Sequence, residues 1–201
     1  MSNSFKHALQ SRRSVYAIND KSPISDEQIQ EIVDFALMNV PSAFNSQSTR
    51  LVLLLGEQHK KLWNGIVMDT LRAIVPAENF GPTEAKINSF AAGYGTVLFF
   101  EDNAVVEGLQ SKFAAYADNF PLWARDTSAM HQLTIWTLLE EAGLGASLQH
   151  YNPIIDDQVK ETWGLDKKWH LTSQMVFGGI VQKPETAPEK QPVEDRRKFF
   201  K

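Results

Sequence analysis

The chain has 201 residues, 43% of them hydrophobic and 10% aromatic, which suits one globular domain able to bury a substantial core. A formal net charge of −4 argues against a nucleic-acid binder, and the absence of cysteine excludes disulfides, thiol nucleophiles and thiolate-bound metals. The polar start MSNSFKHALQSRRS lacks the apolar core of a signal peptide, and LVLLL and TVLFF are far too short to span a bilayer, so a cytoplasmic location and no membrane partner are expected.

The first predicted element is a short helix running to Ser14, with Phe5, Ala8 and Leu9 on one side. ISDEQIQEIVDFALMNV predicts a second helix: Ser25 suits the N-cap, Gln28 completes a capping box, and Ile29, Ile32, Val33, Ala36, Leu37 and Val40 recur at helical spacing. Pro41 ends it. RLVLLLG reads as a buried strand closed by Gly56, and EQHKKLWNGIVMDTLRAIV as a helix with Leu62, Ile66, Val67, Leu71 and Ile74 on its apolar face. Residues 76–92 read as a loop and a short helix, GTVLFFED as a second buried strand.

Helical patterns follow at VVEGLQSKFAAYA and at SAMHQLTIWTLLEEAGLG, which Gly143 should terminate. ASLQHY predicts a short strand, Asn152 a cap for PIIDDQVKETW with Pro153 in the first helical position, and LTSQMVFGGIV a last strand. From Gln182 the chain is Pro-rich, charged and coreless until Phe199 and Phe200. Strands mixed with helices, without strict βαβ alternation, predict an α+β layered sandwich.

Most familiar chemistry is missing. The glycine pairs GYGTVL and GLGASL lack the third glycine of a dinucleotide fingerprint, and the second follows a helix where that fingerprint needs a strand. GASLQ lacks the final glycine of a nucleophile elbow. His7, His59, His131, His150 and His170 are scattered without metal-ligand spacing, so each reads as a surface or internally satisfied residue and no metal site is expected.

Two stretches stand out. SRRS, residues 11–14, places two guanidiniums at a helix end, where they suit the negative end of the dipole and could fork a phosphate. An exposed basic helix end would look the same. PSAFNSQSTR, residues 41–50, is longer and richer in side-chain amides than a helix-to-strand connection requires, although a polar surface loop would share its composition.

Together, SRRSVYAIND, PSAFNSQ, GYGTVLFFED, YADNF and AGLGASLQHYNP, in this order and with a basic tail, resemble the nitroreductase superfamily of homodimeric FMN-dependent oxidoreductases. The branch most resembled contains bacterial copper-induced nitroreductases and fungal nitroreductase-like proteins of the fatty-acid response. The resemblance runs from about Phe5 to Phe199.

It implies a single domain over residues 1–201, built as a three-layer αβα sandwich with a mostly antiparallel central sheet. The tail from about 182 to 201 would reach over the partner subunit. It further implies that Arg12, Arg13 and Ser14 hold FMN through its phosphate and ribityl chain. Pro41, Ser42, Ala43, Asn45 and Gln47 would form a loop contributed across the flavin by the other subunit, and Leu148, Gln149 and His150 would lie beside the isoalloxazine. Lys190 and Arg196 are the implied C-terminal pair closing on the phosphate.

Many relatives carry Lys or Arg two residues after the motif's serine; here that residue is Tyr16. Either Lys86 or Arg50 then supplies the charge near flavin N1, or the flavin is harder to reduce. Phe44, Phe120 and Trp123 are candidates for an aromatic pocket wall, or for ordinary core packing. The implied activity is NAD(P)H-dependent reduction of nitroaromatics or quinones by alternation in one pocket. A flavin-binding regulatory or stress-response protein and a dimeric module without cofactor are the competing readings.

Overall fold

In the computed structural model, which describes residues 5–186 and 188–201, helix α1 covers Phe5–Ser11 and ends before the predicted Ser14. Residues 1–4 of that prediction lie outside the described residues. The chain then extends, Val15 N–H donating to the Ala146 carbonyl at 3.0 Å, before the short strand β1 (Ala17–Asn19). Helix α2 (Asp26–Asn39) has the predicted capping box, with Ser25 Oγ accepting from Gln28 N–H and Gln28 Oε1 accepting from Ser25 N–H. Its inner face buries Ile29, Val33 and Ala36, while Leu37 is exposed.

Strand β2 (Thr49–Leu55) runs into Gly56, whose φ of +52° suits a residue without Cβ and starts a helix where the strand was expected to close. The helix predicted after it is not uniform. It comprises α3 (Gly56–Lys60), a π-helical stretch Lys61–Val67, and α4 (Met68–Ile74). Ile74 is exposed, and Trp63, which the predicted stripe left out although it lies three and four residues before Ile66 and Val67, is fully buried on the inner side of the π-helical stretch. His59, Thr96 and Trp63 interlock beneath it: Trp63 Nε1 donates to Thr96 Oγ1 at 2.9 Å, and His59 spans Thr96 Oγ1 and the Phe90 carbonyl at 2.8 and 3.1 Å.

Residues 80–91, expected as loop and short helix, form a 12-residue helix α5 (Phe80–Ala91) that buries Ile87 and Phe90. After β3 (Gly95–Asp102), Asp102 caps α6 (Asn103–Lys112). The helical pattern expected to continue through Ala117 breaks at Phe113 into a 3-10 turn, Ala114–Asn119. The long helix α7 (Phe120–Glu141) begins at Phe120, with Pro121 in its first turn, and is closed by Gly143 at φ +84°.

Strand β4 (Leu144–Gln149) follows directly. The cap expected at Asn152 does not form: residues 152–155 make turns, the Asn152–Pro153 peptide is cis, and α8 (Asp156–Thr162) starts after Ile155. Asn152 instead accepts from Gln174 Nε2 at 3.4 Å. Strand β5 (Trp169–Gln182) and a four-residue helix α9 (Val193–Arg196) complete the chain.

At 14 residues, β5 is long enough to pair antiparallel with three strands: β3 along 169–177, β4 along 174–179 and β1 along 179–182. β2 adds antiparallel to β3. Alternation along β3 divides the core. Leu98 and Phe100 face the layer built from α3–α5 and α8, whereas Val97 and Phe99 face α2 and α7. The result is the expected three-layer αβα sandwich around an antiparallel sheet. Among the described residues, no helix is long and apolar enough to cross a membrane.

Candidate functional site

The basic motif after α1 packs on the C-terminal half of α7. The Arg12 guanidinium carbon lies 4.2 Å above the Trp136 ring, and Arg12 Nε is buried without a hydrogen-bond partner. Burial and the neighbouring Arg13 depress Arg12 below the usual guanidinium range, opposed by Glu140. An anion at that edge would satisfy the stranded donor and restore the preference for charge. Arg13 differs: its Nη1 donates to the Gln10 and Arg12 carbonyls, both at 2.8 Å, which caps the end of α1.

Ser14, its hydroxyl unspent within the protomer, bridges to Ala146 in β4. This contact brings the basic motif to the outer edge of β4. Past Ala146 that edge has no strand partner among the described residues, so Leu148, in phase with Ala146, keeps its backbone groups free on that side, whereas those of Gln149 face β5, and His150 is exposed. Tyr16 is half exposed, with Lys86 Nζ 4.1 Å from its ring centre. Arg12, Arg13, Ser14, Tyr16, Lys86 and the end of β4 therefore belong to one neighbourhood.

The 41–47 loop belongs to another. Phe44, Asn45 and Gln47 all have left-handed φ, at 56°, 50° and 49°. Such residues cost on the order of 1–3 kcal/mol each and persist where surroundings hold them. Ser42 holds the turn from inside, its carbonyl accepting from Asn45 N–H and its hydroxyl from Gln47 N–H, both at 3.0 Å. Phe44 is held from outside by Phe113, Phe120, Tyr116 and Trp123, at ring separations of 5.0, 5.3, 5.8 and 5.8 Å, and is nearly parallel to Trp123. Yet Phe44 remains half exposed, and the side-chain amides of Asn45 and Gln47 are exposed and unspent.

Arg50 does not supply a free cation here. It donates to the Gln47 carbonyl at 2.7 Å and pairs with Asp102 at 2.9 Å, which ties it to the root of the loop. The two neighbourhoods sit at opposite ends of α7. Trp123 carries the loop and Trp136 carries Arg12, 13 residues and roughly 20 Å apart along the axis. A cavity of about 670 Å³ lies beside the end of β4 and is bordered by His150, Glu101, Arg125 and His170.

Lys190 and Arg196 lie on the exposed tail, Arg196 donating to the Gln191 carbonyl at 3.1 Å. The tail's first anchor is Lys183, paired with Glu140 of α7 at 2.8 Å. Phe199 and Phe200 are 73% and 89% exposed. Sequence reading missed Trp136, Phe113, Tyr116 and Glu101. Only Glu101 left a signal, as an acidic residue ending an apolar strand.

Residues 9–179 match the model of the Nitroreductase family. HBN1 of Saccharomyces cerevisiae, described as a putative nitroreductase, is 38% identical over 178 residues, covering 88% of each chain. The nitroreductase CinD of Lactococcus lactis, solved with chloramphenicol and with 4-nitrophenol, is 42% identical with a TM-score of 0.89; the match covers 98% of this chain and 100% of CinD. A putative nitroreductase of Exiguobacterium sibiricum, solved with FMN, shares the fold at 14% identity and a TM-score of 0.69, covering 98% and 97% of the two chains.

Proposed function

Because the chain belongs to the nitroreductase family, we propose that this oxidoreductase uses FMN to carry hydride from NAD(P)H to a nitroaromatic or a quinone. The observation that carries this reading is the stranded Arg12 Nε beside an unspent Ser14 hydroxyl, both next to the open edge of β4. A donor-only group buried without an acceptor calls for an anion. The motif therefore fits a flavin phosphate.

When bound, FMN supplies at its N5 a hydride acceptor and donor that no side chain of this protein provides. Arg12 would grip the phosphate, Ser14 the ribityl chain, and Arg13 would fix the segment that carries both. Lys86 would provide the positive charge near N1 that Tyr16 lacks, and the segment Leu148, Gln149 and His150, through the free backbone of Leu148, would meet the polar edge of the ring. Two-electron reduction of a quinone consumes one NAD(P)H and one proton; reduction of a nitro group to nitroso also releases water.

The loop reads best as a partner's contribution. Pro41, Ser42, Ala43, Asn45 and Gln47 lie too far along α7 from Arg12 to face the same flavin within one protomer. A homodimer would bring each loop, with Phe44, Phe120 and Trp123, over the other protomer's Arg12. Lys190 and Arg196 would close from a tail whose exposed Phe199 and Phe200 gain cover on the partner. CinD's complexes with two nitroaromatic compounds support the acceptor class, and the FMN complex of the more distant relative supports the cofactor.

The purified protein should absorb in the visible as a flavoprotein. Initial rates with NADH or NADPH against a quinone should give parallel double-reciprocal lines, because donor and acceptor take turns in one pocket. A colourless protein that fails to take up FMN would overturn the cofactor; intersecting lines would overturn the alternation.

A further inference from the structure

Where the 41–47 loop returns to the sheet, Ser48 and Thr49 are both buried, and both hydroxyls donate to the same carboxylate. Ser48 Oγ reaches Glu101 Oε2 at 2.5 Å and Thr49 Oγ1 reaches Glu101 Oε1 at 2.7 Å. Consecutive residues of a regular strand point to opposite faces. One carboxylate can therefore catch two neighbours only where the chain departs from strand geometry, and in doing so it sets the direction in which the chain leaves.

The surrounding bonds act on the same point. Asp102 N–H donates to the Ser48 carbonyl at 2.8 Å, Arg50 bridges the Gln47 carbonyl and Asp102, and Thr49 Oγ1 lies 3.3 Å from His131 Nδ1. His131 Nδ1 also reaches the Thr127 carbonyl at 3.0 Å, so it is this nitrogen that carries the proton. His131 belongs to α7, the helix whose Phe120 and Trp123 hold Phe44. The loop is thus tied to α7 at both its tip and its root.

Glu101 is a costly choice for this role if the role is only to fill space. It is 4% exposed, burial pushes its carboxyl above the usual range, and Arg50 spends its bonds on Gln47, Thr49 and Asp102. An apolar side chain would pack there without the desolvation penalty. What an apolar side chain cannot do is hold two hydroxyls.

We propose that Glu101 is a positioning residue for the 41–47 loop: by clamping Ser48 and Thr49 it fixes the direction in which Phe44, Asn45 and Gln47 are presented. Its consequence for cofactor retention rests on the role proposed above for the loop; the clamp itself does not.

Hydrogen exchange on the flavin-loaded protein tests it, with Glu101→Gln removing one acceptor at constant shape and Ser48→Ala removing one hydroxyl as a milder second variant. Exchange of the peptide spanning 41–48 should rise about tenfold or more in Glu101→Gln, and by less in Ser48→Ala, with β3 and α2 unchanged. FMN release on dilution, read by flavin fluorescence, should quicken in the same order. Unchanged exchange at 41–48, or a rise spread equally over β2 and β3, would overturn the clamp. Faster exchange with unchanged FMN release would uphold the clamp and instead overturn the loop's role as a cofactor element.

Discussion

The ammonium of Lys86 lies 4.1 Å from the centre of the Tyr16 ring and 4.9 Å from that of Phe90. An exposed lysine would otherwise sample many rotamers, so two aromatic faces give it a preferred place beside the segment that follows Ser14. The position where many relatives carry a cation is thus occupied by a tyrosine that holds one from α5.

On the proposed flavin site, Lys86, not residue 16, is the group whose removal should matter. Lys86→Ala should lower the two-electron FMN potential by on the order of 30 mV, corresponding to about 1.4 kcal/mol of lost stabilisation of the reduced form. Tyr16→Lys should move it less, because the new charge displaces Lys86 from its ring and repels it. Reductive titration of both variants against wild type decides. A large rise in Tyr16→Lys with no change in Lys86→Ala would remove Lys86 from the site.

The two arginines should separate as well. Arg12 keeps a buried donor in reserve, whereas Arg13 spends its Nη1 on the end of α1. Arg12→Ala should weaken FMN binding by about 1.5–3 kcal/mol, ten- to over a hundredfold, and leave riboflavin binding unchanged. Arg13→Ala should cost less FMN affinity and some stability of the preceding helix. Calorimetric titrations with FMN and riboflavin make the comparison; equal losses for both ligands would show that Arg12 does not meet the phosphate.

What could be read from sequence here was local. The Ser25–Gln28 box lies within four residues, and β3 is built around the apolar run Val97–Phe100, so element type followed from spacing alone. The π-helical turn was not legible, because Leu62, Trp63, Ile66 and Val67 all fit a 3.6 period and mark no break in it. Nor was the failed cap at Asn152, whose side chain is claimed by Gln174 of a distant strand. The same limit applies to the candidate site. Its motifs were visible, but Trp136 lies 124 positions from Arg12, and nothing in either stretch announces that they stack. Phe113 and Tyr116 read as part of a helix until the break at Phe113 turned them towards Phe44.

His59 predicts how the fold responds to acid. It is buried in the His59–Thr96–Trp63 network, and burial lowers its pKa from 6.5 to about 4. The unfolded chain therefore binds the proton more readily, so the contribution of neutral His59 is complete above pH 6.5 and is lost as pH falls towards 4. The loss should total about 3 kcal/mol. Urea midpoints for wild type and His59→Gln at pH 7.5 and at pH 4.5 test this: the variant should be less stable at the higher pH, with a flatter dependence between the two. Parallel slopes would assign the acid sensitivity to another group.

The final prediction concerns the two ends of α7. If Arg12 of one protomer and the loop of its partner form one site, damage to either should be repaired in a mixed dimer. Arg12→Ala protomers keep an intact loop, and Asn45→Ala/Gln47→Ala protomers keep an intact Arg12. In a heterodimer of the two, one site combines both intact halves and the other combines both damaged ones. Random exchange makes half of the dimers mixed, each with one restored site, so about a quarter of wild-type flavin binding should return. The proteins should be mixed, exchanged in mild denaturant and refolded, then titrated with FMN, with light scattering confirming the dimer. Recovery no greater than the average of the two parents would place Arg12 and the loop on the same subunit's site, and a monomer that binds FMN stoichiometrically would remove the need for a partner altogether.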